Sequence, residues 1–124
     1  MKTKKELKVA YKQMKPLMGV YQIKNQKNNR MLIEGSTDIN AKFNRHRMEL
    51  NFGNHRLKAL QKDWKEFGEE NFSFEVISEL ETKDELNVDY KEEVKILEQM
   101  TIEELDIDPS NRYNYDIFHI KKSL

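Results

Sequence analysis

Residues 19–36 read GVYQIKNQKNNRMLIEGS. Side chains of a strand point alternately to opposite faces, so over 18–24 Tyr21 and Ile23 share one face and Val20, Gln22 and Lys24 the other. The middle, NQKNN, is rich in residues that tolerate left-handed turn conformations. A second short run, Met31-Leu32-Ile33-Glu34, follows it. Two such runs around a turn predict a β-hairpin over 18–24 and 30–35. A third strand is predicted at 72–79, where FSFEVI alternates with Phe72, Phe74 and Val76 inward. Its apolar face matches that of the hairpin, so the three strands are expected to form one antiparallel sheet.

Working outward, Ile39, Phe43, His46 and Leu50 recur at helical spacing. After a Gly53-Asn54 break, Leu57, Leu60, Trp64 and Phe67 form a second amphipathic pattern that stops at Gly68. A third helix is expected over about 89–101, with Tyr90, Val94 and Leu97 on one stripe. Thr82 and Glu85 have the spacing of a capping box. Residues 1–17 suggest a Lys-rich helix carrying Leu7, Ala10, Tyr11 and Met14, ended by Pro16. After Pro109 comes a short aromatic tail (Tyr113, Tyr115, Phe118) that is expected to pack on the body. The order predicts an α+β fold in α/β/α layers, a small three-stranded antiparallel sheet flanked by helices. The basic helix 1–17 and a domain over 18–124 would make one globular unit.

The 124 residues fit one domain. The absence of cysteine excludes disulfides and thiolate metal sites. No apolar stretch approaches the roughly 20 residues needed to cross a bilayer. The basic amino terminus lacks the apolar stretch of a secretory signal, so no membrane partner and a cytoplasmic location are expected. Net charge is zero, yet residues 1–63 hold 15 basic side chains against 5 acidic ones, and the remainder 7 against 17. Such a split points to a polyanion partner for the first half.

The ordered series GVYQIKN, LIEGSTDI, KFNRH and HRLKALQKDWKEFGEENFSFEVI resembles the GIY-YIG nuclease superfamily, closely over 19–80 and loosely over 88–114. The resemblance implies a three-stranded antiparallel sheet flanked by helices, and cleavage of a phosphodiester, in duplex DNA, with one Mg²⁺ or Mn²⁺. It assigns activation of the attacking water to Tyr21, a role for which a phenol needs cations or hydrogen bonds nearby. Left to its spacing, Tyr21 is an inward-facing strand aromatic. The family's second tyrosine and glycine fall on Leu32 and Glu34. Its arginine falls on Lys42, a hydrated point charge in place of a planar fork. His46 sits in the expected place four residues on, although its stripe also suits a half-buried structural histidine.

By the same resemblance the metal ligand is a glutamate on the third helix. Glu93, followed by Ile96, fits better than Glu92, and one carboxylate plus waters suits Mg²⁺. Arg45, Arg47, His55, Arg56 and Asn114 are expected nucleic-acid contacts. Glu34 adds a negative charge where a phosphate would approach, with Arg30 a possible partner for it. Three functions follow: a metal-dependent endonuclease weakened at its second motif, a binding module on the same fold without catalysis, or a protein-interaction domain docking through its acidic half.

Overall fold

The computed structural model describes residues 16–81 and 88–114. Strands β1 (Gly19–Asn25), β2 (Met31–Ser36) and β3 (Phe72–Glu79) form one antiparallel sheet in the order β2-β1-β3. Helices α1 (Ile39–Phe52) and α2 (Lys58–Phe67) separate β2 from β3, and α3 (Tyr90–Leu105) follows β3. The predicted strands and sheet are thus present, with α3 running one turn past its expected end. The expected amino-terminal helix, the Thr82–Glu85 pair and the tail aromatics Tyr115 and Phe118 lie outside the described residues. Among the described residues no helix is long and apolar enough to cross a membrane.

The hairpin register follows from its turn. Asn29 takes the left-handed conformation (φ 62°), and the Asn25 amide donates to the Arg30 carbonyl. Counting back from that closure sets Ile23 opposite Leu32 and Tyr21 opposite Glu34. Tyr21, Ile23 and Leu32 pack with Ile39 and Leu50 of α1, Leu60 and Trp64 of α2, Phe72 and Tyr113 in the main core. Val20 and Ile33 are fully buried on the opposite face, where α3 packs. Leu32, at the family's second tyrosine, is therefore a core residue. One inward assignment fails: Val76 is 39% exposed. Val76 keeps the face of Phe74 and pairs with Tyr21, ahead of the register slip between Val20 and Tyr21, but β3 is an edge strand of the sheet and its face is only partly covered there.

The outer edge of β2 is engaged at Met31, Ile33 and Gly35. The Met31 carbonyl accepts from the Tyr113 amide, the Asn114 side-chain amide both accepts from and donates to the Ile33 backbone, and the Gly35 amide donates to Glu98 Oε2 at 2.7 Å. Behind the turn, Tyr113 Oη donates to buried Asp63 at 2.6 Å and accepts from Asn25, while Asn28 also donates to Asp63. This clasp ties the turn, α2 and the segment after α3 together.

α3 approaches β2 through Gly35, where a Cβ would lie 2.7 Å from Val94 Cγ1 and 3.0 Å from Glu98 Oε2. Gly35→Ala is expected to push α3 off the sheet and destabilise the domain by about 1–3 kcal/mol, as overpacking does. Urea denaturation measures this, with unchanged stability as the contrary result.

Candidate active site

Because Tyr21 and Glu34 are cross-strand partners, their side chains leave the same face of the hairpin. Tyr21 is fully buried. Its hydroxyl lies 2.9 Å from Glu34 Oε2 and 2.8 Å from His46 Nε2. α1 presents His46 from above on the predicted stripe. Asp38 caps that helix by accepting from the Ala41 amide, and Phe43 meets the Tyr21 ring edge-on with centroids 5.2 Å apart.

Behind His46 stands His55, its Nε2 2.8 Å from His46 Nδ1, with the rings stacked. His55 is fixed from its own backbone side. The Leu57 amide donates to its Nδ1 at 3.0 Å, and its own amide donates to Gln61 Oε1. Gln61 in turn donates to the Leu50 carbonyl, locking the loop between α1 and α2.

Glu34 and His46 form part of the wall of a cleft of about 410 Å³ lined also by Lys42, Arg45, Glu49, Asn54 and Arg56. Arg56 approaches Glu34 at 3.4 Å, and Arg45 pairs with Glu49 at 2.9 Å. Three permanent cations thus face two carboxylates. Burial alone would raise the Glu34 carboxyl, but His46 3.7 Å away, the hydrogen bond from Tyr21 and the charge of Arg56 outweigh it and hold the pKa at about 2. Burial raises the Tyr21 phenol far above its ordinary value, and the Glu34 charge raises it further. Burial lowers the His55 imidazole, and His46 beside it acts the same way.

The structure therefore brings together Tyr21, Lys42, Arg45, His46 and Arg56. It places four other expected residues differently. His55 is 5% exposed and sits behind His46, out of reach of a ligand in the cleft. Arg47 lays its guanidinium over the Phe74 ring at 4.2 Å. Asn114 is committed to the β2 edge. On α3, Val94 and Glu98, four residues apart, face Gly35, whereas Glu93 lies 100° round the helix from Val94. Arg30 is likewise not the partner of Glu34. It lies 3.8 Å from Asp63 with its guanidinium over Tyr113, and Arg56 takes that place.

The pairing of Tyr21 with Glu34 and the place of Glu98 are new in the structure, and both had a signal in the sequence. Tyr21 and Glu34 are equidistant from the turn, which dictates that they face each other. Glu98 lies one turn beyond Val94 on a stripe already assigned as inward.

No family model and no curated protein matches the chain. The sheet order, the flanking helices and the hairpin tyrosine beneath a cationic cleft make this a GIY-YIG-like fold. Two solved structures share it. The catalytic domain of the intron endonuclease I-TevI, in a point-mutant form, aligns at 26% identity with a TM-score of 0.64, covering 81% of this chain and 94% of that one. A second structure of the catalytic domain of homing endonuclease I-TevI aligns at 26% identity and 0.63, covering 80% and 98%.

The lowered Glu34 and His55 make acid destabilising. Glu34 titrates near 4.5 when unfolded and about 2 when folded, so its stabilisation is complete above 4.5 and lost as pH falls towards 2. His55, lowered from 6.5, adds an earlier loss as pH falls below that value. Denaturant midpoints taken across acid pH should fall in two stages. Glu34→Gln should flatten the lower stage, removing on the order of 2 kcal/mol of pH-dependent stability.

Proposed function

We propose that the cleft binds the phosphate backbone of a nucleic acid, duplex DNA first among them, and that Glu34 leaves phosphodiester hydrolysis weak or silent. The observation that carries this reading is the grouping of Lys42, Arg45 and Arg56 around one cleft walled by Glu34 and His46, with the Tyr21 hydroxyl beneath. Cations that neutralise phosphates gain affinity by releasing condensed counterions. The likeness to an endonuclease catalytic domain supports the same class of partner.

Catalysis is a different matter. Activation of water by Tyr21 requires the phenol to lose its proton, and Glu34 raises the cost of that loss. A phosphate oxygen about 4 Å from Glu34 would be repelled by roughly 4 kcal/mol at an effective dielectric near 20, offset in part by Arg56. A divalent metal fits the residues present if a single carboxylate suffices. Glu98, rather than Glu93, would hold it beside β2, because one of its oxygens is already oriented by the Gly35 amide. Bound there, Mg²⁺ or Mn²⁺ would supply positive charge to a phosphate oxygen. His46 and Lys42 would then stabilise the phosphate from the side of α1.

Titration of duplex DNA at rising salt tests the reading. The logarithm of affinity should fall against the logarithm of salt with a slope of about −2 to −3, near −0.9 for each phosphate neutralised. Lys42→Ala with Arg45→Ala should flatten that slope by about 2. Glu34→Gln should tighten binding up to about tenfold, about 1.4 kcal/mol. Absence of binding at low salt, or binding indifferent to salt, would sink the proposal. Glu34→Gly assayed beside wild type for Mg²⁺-dependent nicking tests the silencing role, with equal rates as the contrary result.

A further inference from the structure

We infer that Leu57, His55, His46, Tyr21 and Glu34 form a one-way hydrogen-bond chain, in which His55 is the positioning residue that fixes His46 as a donor to Tyr21 and turns the Tyr21 proton towards the cleft. The direction follows from what each atom can do. A backbone amide only donates. The Leu57 N–H points at His55 Nδ1, 3.0 Å away, so that nitrogen is bare and the ring proton sits on Nε2. His55 Nε2–H therefore donates across 2.8 Å to His46 Nδ1. A neutral His46 must then carry its proton on Nε2, and donates it across 2.8 Å to the Tyr21 oxygen. The single phenol proton is left for Glu34 Oε2 at 2.9 Å.

The far end demands the same direction independently. Glu34 beside Arg56 is an ionised carboxylate and only accepts. Protonating His46 would break the run. Both its nitrogens would donate, His55 Nε2 would have to accept, and the displaced His55 proton would face the Leu57 N–H. Protonating His55 produces that same clash directly. With Tyr21 fully buried and both rings 5% exposed, bulk water is in no position to mend such a break.

The chain deepens the proposed function, although its direction does not depend on that reading. From behind, His46 Nε2–H is set to stabilise negative charge on the Tyr21 oxygen. In front, Glu34 occupies the acceptor position and keeps the proton in place. Once Glu34 is replaced by a neutral side chain, His55 alone holds His46 as donor, so the Tyr21 hydroxyl stays aimed at whatever enters the cleft.

Long-range ¹H–¹⁵N spectra of the full chain at neutral pH read the tautomers directly. In the wild type, His46 and His55 should each show a bare Nδ1 and a protonated Nε2, as one species. A proton on Nδ1 of either ring, a charged ring, or a tautomer mixture would overturn the inference. Glu34→Gln should leave His46 as it is, whereas Glu34→Gln with His55→Leu should convert the single His46 species into a mixture. Loss of the single species in Glu34→Gln alone would show that the carboxylate, not His55, sets the direction. The wild-type spectrum decides even where the double variant does not fold. Tautomers as described in a chain that binds no DNA would refute the proposed function and leave the chain intact.

Discussion

A phenol cut off from water must find an acceptor for its hydrogen bond, and Tyr21 donates to the carboxylate directly opposite on the adjacent strand. Much of the molecule serves that contact. The asparagine-rich turn sets the register that makes Tyr21 and Glu34 partners. Asp38 starts α1 at the point from which His46 arrives above the phenol. The locked loop after α1 brings His55 up behind His46. A one-residue slip in the hairpin would turn Glu34 to the opposite face, so the site depends on the turn as firmly as on any residue within it.

A second polar group, at the other end of the hairpin, answers a structural need. Asp63 is buried on α2 and would be costly alone, but Tyr113, Asn28 and the nearby Arg30 guanidinium satisfy it. The two networks have different characters. The one around Asp63 faces inward and closes on itself. The one around Tyr21 ends on Glu34, in a cleft where further partners can be gained.

The sheet and helices were legible in the sequence because each rests on a local rule: period-two alternation, period-3.6 stripes, a turn-rich break, glycines after helices. Val76 was misread because alternation gives the face of a residue and not how well that face is covered on an edge strand. The site was legible in part. Tyr21 and His46 lie on stripes that point inward, and the structure brings them together. For Arg47 and Asn114, charge and polarity do not reveal whether a side chain already has a partner in the fold. Arg47 finds an aromatic ring, and Asn114 a strand edge. To the repulsive charge read at Glu34 the structure adds that its partners make it an anchored anion, a property of three-dimensional neighbours that one strand cannot disclose.

The occupied outer edge of β2 has a consequence for how the protein behaves in a crowd. A bare strand edge offers a row of amides and carbonyls to any extended chain that drifts past, and is a route to aggregation. Here Tyr113, Asn114 and Glu98 fill the three outward positions, at Met31, Ile33 and Gly35, with contacts that a foreign strand would have to displace. Two of the three come from the segment after α3. That segment therefore works as a selvedge, finishing the sheet on its hairpin side. A chain cut short before Tyr113 would expose Met31 and Ile33 as a template and leave only Gly35 covered, by Glu98.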